Sequence, residues 1–164
     1  MTQTAEKKEL SPEVIEAHEK SLQLAREPSE TRDMEQVLTY MKKAADGGHS
    51  GAQCNLGYLY AVGDGVDANP EESVRWFQLA AEGGDLQAIY NLSQMYASGR
   101  GVEANHATAL ALLRKAANAG HPDALYNLGI YSYSGGNGVE QDHQAAFVFF
   151  QNAASVGHGD ALFS

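Results

Sequence analysis

Three histidines recur at matching places: His49, His121 and His158 each follow a glycine that closes an alanine-rich, helix-like segment. Imidazole nitrogens are common metal ligands, and three of them suffice for an open zinc site. The spacing speaks against a shared ion. The three lie in separate units of the chain, where stacked helices hold equivalent positions roughly 10 Å apart. Zinc–nitrogen bonds are only about 2 Å long. A capping role at a helix C-terminus, which favours positive charge, is the simpler reading. No metal and no other cofactor is expected.

Asn55, Asn91 and Asn127 form a second ladder, each 36 positions after the last. An amide offers a donor and an acceptor, so such a row could pair with an extended peptide backbone. Each could equally bond a backbone group of its neighbouring unit. Recurrence in step with the repeat favours that structural role, and both readings stay open. Cys54 is the single cysteine. It forms no intramolecular disulfide and has no evident activating neighbour, so it reads as a small packing residue. Trp76 stands where later units have Leu112 and Phe149, and reads as core. No Gly-x-Ser-x-Gly, His-Glu-x-x-His or phosphate-binding loop is present, so no catalytic constellation is expected.

These residues sit on a chain of 164 residues with 11 Lys plus Arg against 21 Asp plus Glu, a net charge of −10. That balance argues against binding nucleic acid or an anionic membrane surface, since both need basic residues over phosphates. The acid is spread out and reads mainly as a solubilising surface. The polar start of the chain has no apolar signal-peptide core, and no run approaches a membrane span. Cytoplasm is the expected location.

The elements that position the ladders are repeats. Aligned without a gap, residues 52–87 and 88–123 are both 36 residues long and share 13 identities. Residues 124–160 repeat the pattern with one insertion near a glycine-rich turn, and residues 161–164 begin a further, truncated unit. Residues 11–51 read as an atypical N-terminal capping helix pair, behind a flexible stretch at residues 1–10. Within it, Tyr40, Ala44, Ala45 and Gly48 lie 36 positions before Trp76, Ala80, Ala81 and Gly84. Ser11 to Arg26 is helical in character but does not match the repeat.

Each unit reads as two helices. Ala52, Leu56, Leu59 and Tyr60 give the first an apolar face at helical spacing. Gly63-Asp64-Gly65 stops it, and Val66 plugs the corner. Asn69 caps the second, with Pro70 at its first position and Glu72 three residues after the cap. Asn105 and Asp142 take that cap position in later units, and Ser11 is expected to start the N-terminal helix in the same way. Helices this short are marginal alone and need neighbours on both sides. The expected fold is all-α, an α-α superhelix (solenoid) of antiparallel helix pairs, about four repeats long.

The pattern Ala-x-x-x-Leu-Gly-x-x-Tyr, Gly-x-Gly-Val, Asp or Asn, then Ala-Ala-x-x-Gly resembles the Sel1-like repeat family, relatives of the tetratricopeptide repeats. Leu56-Gly57, Leu92-Ser93 and Leu128-Gly129 hold the Leu-Gly position, with Ser93 departing from glycine. Gly63-x-Gly65-Val66, Gly99-x-Gly101-Val102 and Gly136-Asn137-Gly138-Val139 hold the turn. The resemblance implies a scaffold or adaptor that binds proteins. Some secreted bacterial members have been described as β-lactam-binding hydrolases, but those carry paired cysteines in each repeat.

By the same resemblance the first helices line a concave face. Its inward positions would be Gly51, Cys54, Tyr58 and Ala61, then Gln87, Tyr90, Gln94 and Ala97, then Asp123, Tyr126, Ile130 and Tyr133. Tyr and Gln suit peptide recognition, while Tyr90 and Tyr126 could instead pack between adjacent first helices. The last helix, about Asp142 to Val156, carries Phe147, Phe149 and Phe150 and is followed only by Ala161, Leu162, Phe163 and Ser164. An apolar patch there would meet a second copy or another partner, unless the chain is a fragment of a longer array. The expected function is a non-enzymatic interaction module that holds a peptide or domain in its concave groove, its excess acid selecting for basic partners. A β-lactam hydrolase and a self-assembling structural unit are the alternatives.

Overall fold

A computed structural model describes residues 9–157. Eight helices run through these residues: α1 Pro12–Ala25, α2 Met34–Asp46, α3 Ser50–Val62, α4 Pro70–Glu82, α5 Leu86–Ser98, α6 His106–Asn118, α7 Pro122–Ser134 and α8 His143–Ser155. Consecutive helices pack on each other throughout, as pairs and between pairs. The chain is an α-solenoid.

Local chemistry sets each boundary. Asp33, Asn69, Asn105 and Asp142 accept backbone N–H bonds at the starts of the second helices. Their own N–H groups tie back in three units, from Asn69 to the Tyr60 carbonyl, Asn105 to Tyr96 and Asp142 to Ser132. Ser11 behaves differently from the expectation. Its side chain makes no capping bond, and only its carbonyl accepts, from the N–H groups of Val14 and Ile15. The first helices α3 and α5 end at Gly63 and Gly99, both left-handed. The extra residue of the last unit is absorbed in a tight turn. Gly136 and Val139 exchange two 2.9 Å backbone bonds across Asn137 and Gly138, both at positive φ. That is the Asn-Gly chemistry of a two-residue hairpin loop.

The core has two continuous parts. Val37, Met41, Ala44 and Ala45 of α2 pack with Ala52, Leu56 and Leu59 of α3, and Trp76 joins them, buried as expected. Phe77, Ala80 and Ala81 of α4 begin the second part, which runs through Ala88, Leu92 and Met95 of α5 to Leu113, Ala124 and Leu128. The alanine pairs are nearly inaccessible to solvent and let neighbouring backbones approach.

Helix α1 belongs to this register although its sequence hides the fact. Ser21 and Ser93 lie 72 positions apart, two repeats, and make the same bond, to the carbonyls of His18 and Tyr90. Ala17 and Ser21 are buried like Gln53 and Gly57, 36 positions on. What differs is the outer face. Where α3 has Ala52, Leu56 and Leu59, α1 has Glu16, Lys20 and Gln23. That face of α1 is polar and charged, with Glu16 and Gln23 exposed.

Candidate functional site

The junctions between pairs use the histidines. The N–H groups of His49, Asp85 and His121 bond the carbonyls of Ala44, Ala80 and Ala116, closing the preceding helix around a left-handed glycine. Their side chains then cap the following one. His49 Nδ1 accepts from Ala52 N at 3.2 Å, Asp85 Oδ1 from Ala88 N at 2.8 Å, and His121 Nδ1 from Ala124 N at 3.3 Å. The histidines therefore cap helix N-termini as neutral acceptors, and are not cations at C-termini as their sequence position suggested. Burial, first of all, holds both His49 and His121 below the usual imidazole pKa. His158 lies outside the described residues.

Each cap is packed by a residue from the preceding first helix. His18 lies against His49, with ring centroids 3.8 Å apart, and Tyr90 stacks on His121 at 4.7 Å. Cys54 takes this position next to Asp85. Burial, and then the Asp85 carboxylate, push the Cys54 thiol far up, so it stays protonated. Polar bonds extend the link. Asn127 donates to the Tyr90 hydroxyl at 3.2 Å, His121 Nε2 meets Gln87 Oε1 at 3.2 Å, and Gln87 donates to Asn91 Oδ1 at 3.0 Å. Arg100 donates to the Ala61 carbonyl. Side-chain bonds thus tie α7 to α5, and Arg100 ties the turn after α5 to the end of α3.

These links sort the inward positions. Tyr90 is half-buried between α5 and α7, and Tyr126 is half-buried against Phe150, with ring centroids 5.5 Å apart. Asp123, Asn55, Asn91 and Asn127 are half-buried, and Gln87 is exposed but engaged. Tyr58, Gln94 and Ile130 are exposed, and they occupy one position 36 residues apart on α3, α5 and α7. Tyr58 is 56% and Ile130 40% exposed, and Tyr133, one turn on from Ile130, is 60% exposed. Sequence reasoning put all these residues on one face but did not separate the row that holds the helices together from the row that solvent reaches. A signal was present: the half-buried row repeats Asn at 55, 91 and 127, whereas the exposed row varies as Tyr, Gln, Ile.

Two clefts open elsewhere. One of about 650 Å³ runs along α6 beside the inserted turn, lined by His106, Leu110, Arg114 and Asn137 among others. The other, of about 340 Å³, lies on the far side of α8 and is lined by Tyr133, His143, Ala146, Phe147 and Phe150. Phe149 is half-buried against the core instead. Leu162 and Phe163, expected at the same end, lie outside the described residues. Among the described residues no helix is long and apolar enough to cross a membrane.

The Sel1 repeat family model matches residues 28–49, 50–85, 86–121 and 122–158. The chain belongs to the Sel1 repeat family. Solved structures agree. A Sel1 repeat protein from Oxalobacter formigenes is 36% identical over 88% of this chain and 42% of its own, with a TM-score of 0.81. The protective antigen c5321 of uropathogenic Escherichia coli, which displays an SLR fold, is 28% identical over 88% of this chain and 31% of its own, with a TM-score of 0.79. Helicobacter pylori cysteine-rich protein B, at 22% identity, covers 80% of this chain and 93% of its own with a TM-score of 0.60, and shares the fold. This chain spans less than half the length of the first two. A search of curated proteins found no match. Sel1 repeat proteins are generally scaffolds for protein interactions.

Proposed function

We propose that this Sel1 repeat chain is a non-enzymatic interaction module whose inner face takes a peptide segment or domain of a partner protein. One observation carries the reading: Tyr58, Gln94 and Ile130 form an exposed row along α3, α5 and α7, beside the side-chain bonds that tie α7 to α5. Preorganised helices lower the entropic cost of binding, and a tyrosine adds rigid area with a polar tip. Side-chain variation along this row is free to serve recognition because stacking does not depend on it. The acid excess of 21 against 11 favours a basic partner. A buried, protonated Cys54 fits a reducing compartment such as the cytoplasm and is a poor nucleophile.

The test is capture from lysate of the source cells, followed by titration of the purified partner. The wild-type chain is compared with a variant carrying Tyr58→Ser, Gln94→Ala and Ile130→Ser. These side chains are exposed, so the variant should keep its helical content. Tyr90 and Tyr126 are left intact because removing them would loosen the stack. Loss of binding by about tenfold or more supports the inner face. Unchanged affinity defeats it.

A further inference from the structure

The turn after α5 is held against the preceding unit in two ways, and the turn after α7 lacks both. A Cβ on Gly101 would lie 2.2 Å from the carbonyl oxygen of Pro70, where α4 begins. Arg100, in the same turn, donates to the Ala61 carbonyl near the end of α3. In the last unit Gly138 stands in register with Gly101, and His106, where α6 begins, with Pro70. A Cβ on Gly138 would meet Leu110 Cδ2 at 3.3 Å and no backbone atom of α6 within 4 Å. Gly136 and Asn137 take the place of Arg100, and carry no guanidinium to reach Ala97, the counterpart of Ala61. The departure starts at Gly135, whose ψ is 159° against 25° at Gly99. The insertion thus lifts the turn off α6, and the cleft of about 650 Å³ lies between them. Described helices flank α6 on both sides, so the cleft belongs to the interior of the array and not to its end.

Its walls pair positive charge with apolar surface. His106 and Arg114 stand at the two ends of a strip of α6, with Leu110 and two alanines between them, and Asn137 faces the strip. No carboxylate is among the residues that line it. Helix α6 carries Arg114 and Lys115 and no acid. It is the one net-basic helix among the described residues of a chain whose net charge is −10. Arg114 is exposed and pairs with no carboxylate among the described residues. Acids elsewhere on the surface act weakly here, because exposed charges are screened beyond about 8 Å at physiological ionic strength.

Spacing along the strip narrows the ligand. Leu110 and Arg114 lie about 6 Å apart along the helix axis. Residues i and i+2 of an extended chain are about 6–7 Å apart and share a face. We propose that this cleft is a second binding site, and that its occupant is an extended segment of a partner protein with the pattern aliphatic-x-acidic. The aliphatic side chain lies on Leu110, and the carboxylate pairs with Arg114. The Asn137 amide, fixed by the two backbone bonds between Gly136 and Val139, offers a donor and an acceptor to the segment's backbone. None of Tyr58, Gln94 and Ile130 lines this cleft, and the charge it selects is opposite to that selected by the inner face. Either site can therefore fail without the other.

The probe is the peptide acetyl-Gly-Glu-Ser-Leu-Ser-Glu-Gly-amide, which presents the pattern in both chain directions. It is titrated into the isotope-labelled full chain and followed by amide chemical shifts. Saturable shifts should fall on α6 and on the turn at residues 136–139, with a Kd of about 1 mM or tighter. Serine in place of the peptide's leucine, glutamine in place of its glutamates, or Arg114→Glu in the chain should each weaken binding by about tenfold. Lys115→Glu makes the same charge change at a residue that does not line the cleft, and should weaken binding by less than about threefold. Both residues are exposed, so these variants should keep their helical spectra. Deleting Gly136 restores the Ser-Gly-x-Gly-Val spacing of residues 98–102. That variant should bring the turn back onto α6 and abolish binding; if it does not fold, Arg114→Glu and Lys115→Glu decide. The proposal is wrong if the probe gives no saturable shift at these residues, if the serine peptide binds as well, or if Arg114→Glu and Lys115→Glu weaken binding equally. Undiminished binding by a folded Gly136 deletion would overturn it too.

Discussion

The ring of Phe77 lies where a side chain of residue 57 would be: a Cβ added to Gly57 falls 2.7 Å from Phe77 Cδ1. The same relation recurs between Gly129 and Phe150, at 2.6 Å. In the middle unit the glycine is replaced by Ser93, and the aromatic by Leu113. In the first unit Ser21 stands in register with Gly57, and Met41 with Phe77. The departure from the Leu-Gly motif is thus half of a pair, with serine permitted where the facing side chain is not a ring.

This pairing predicts a double-mutant result. Gly57→Ser should destabilise the chain by about 1–3 kcal/mol through overpacking. Phe77→Leu alone should cost about 1 kcal/mol or somewhat more, since it removes buried ring atoms. Together they recreate the Ser93–Leu113 pair, so the double variant should be more stable than the sum of the two losses implies. Urea denaturation of the four proteins measures this. Simple additivity would show that the pairing is incidental.

Much of the architecture was legible because its signals are local. Gly63 and Gly99 stop helices by their own conformation, and Asn69, Asn105 and Asp142 cap helices through bonds two or three residues away. What stayed hidden depends on contacts across the stack. The polar Glu16, Lys20 and Gln23 masked the register of α1, because they stand where the apolar face that marks a repeat would be. His49 and His121 sit between two helices, and only coordinates show that the side chain serves the second. Spacing put Tyr90 on one face with Gln87 and Gln94, but its engagement with His121 and Asn127 is a relation to the next repeat.

The histidine caps make stability depend on pH in a defined direction. His18, His49 and His121 all have pKa values lowered on folding, with burial the largest cause. The unfolded chain therefore takes up protons first as pH falls below about 6.5. The stabilisation is fully present above that value and is lost as pH drops towards the folded pKa values. Nearby charges modulate it: His49 lowers His18 further, Glu19 opposes this, and Asp85 and Asp123 raise the others. Asp33, whose carboxylate is stabilised first by the Gln36 backbone N–H, contributes the same sign only at pH values below about 4. His49→Asn keeps a cap acceptor and removes a titrating ring. It should change stability at pH 7.5 by no more than about 1 kcal/mol. The fall in urea midpoint between pH 7.5 and 5.5 should become shallower. An unchanged pH slope would show that His49 does not titrate on unfolding.

Two glycines separate the cost of backbone conformation from the cost of contact. Gly84 and Gly101 both have positive φ, at 86° and 72°. A Cβ on Gly84 would meet nothing within 4 Å, whereas on Gly101 it would lie 2.2 Å from the carbonyl oxygen of Pro70. Pro70 begins the second helix of the preceding unit, so the turn around Gly101 is pressed backbone to backbone against its neighbour. Gly84→Ala should cost about 1–2 kcal/mol, the penalty for a left-handed residue bearing a side chain. Gly101→Ala carries that penalty and must also push the turn off α4. It should be the more destabilising of the two. Because the clash lies between units, amide exchange should quicken most at the start of α4 and in the turn itself, where a local opening would relieve it. Equal losses for the two variants would mean that the turn yields freely and that the stack does not depend on this approach.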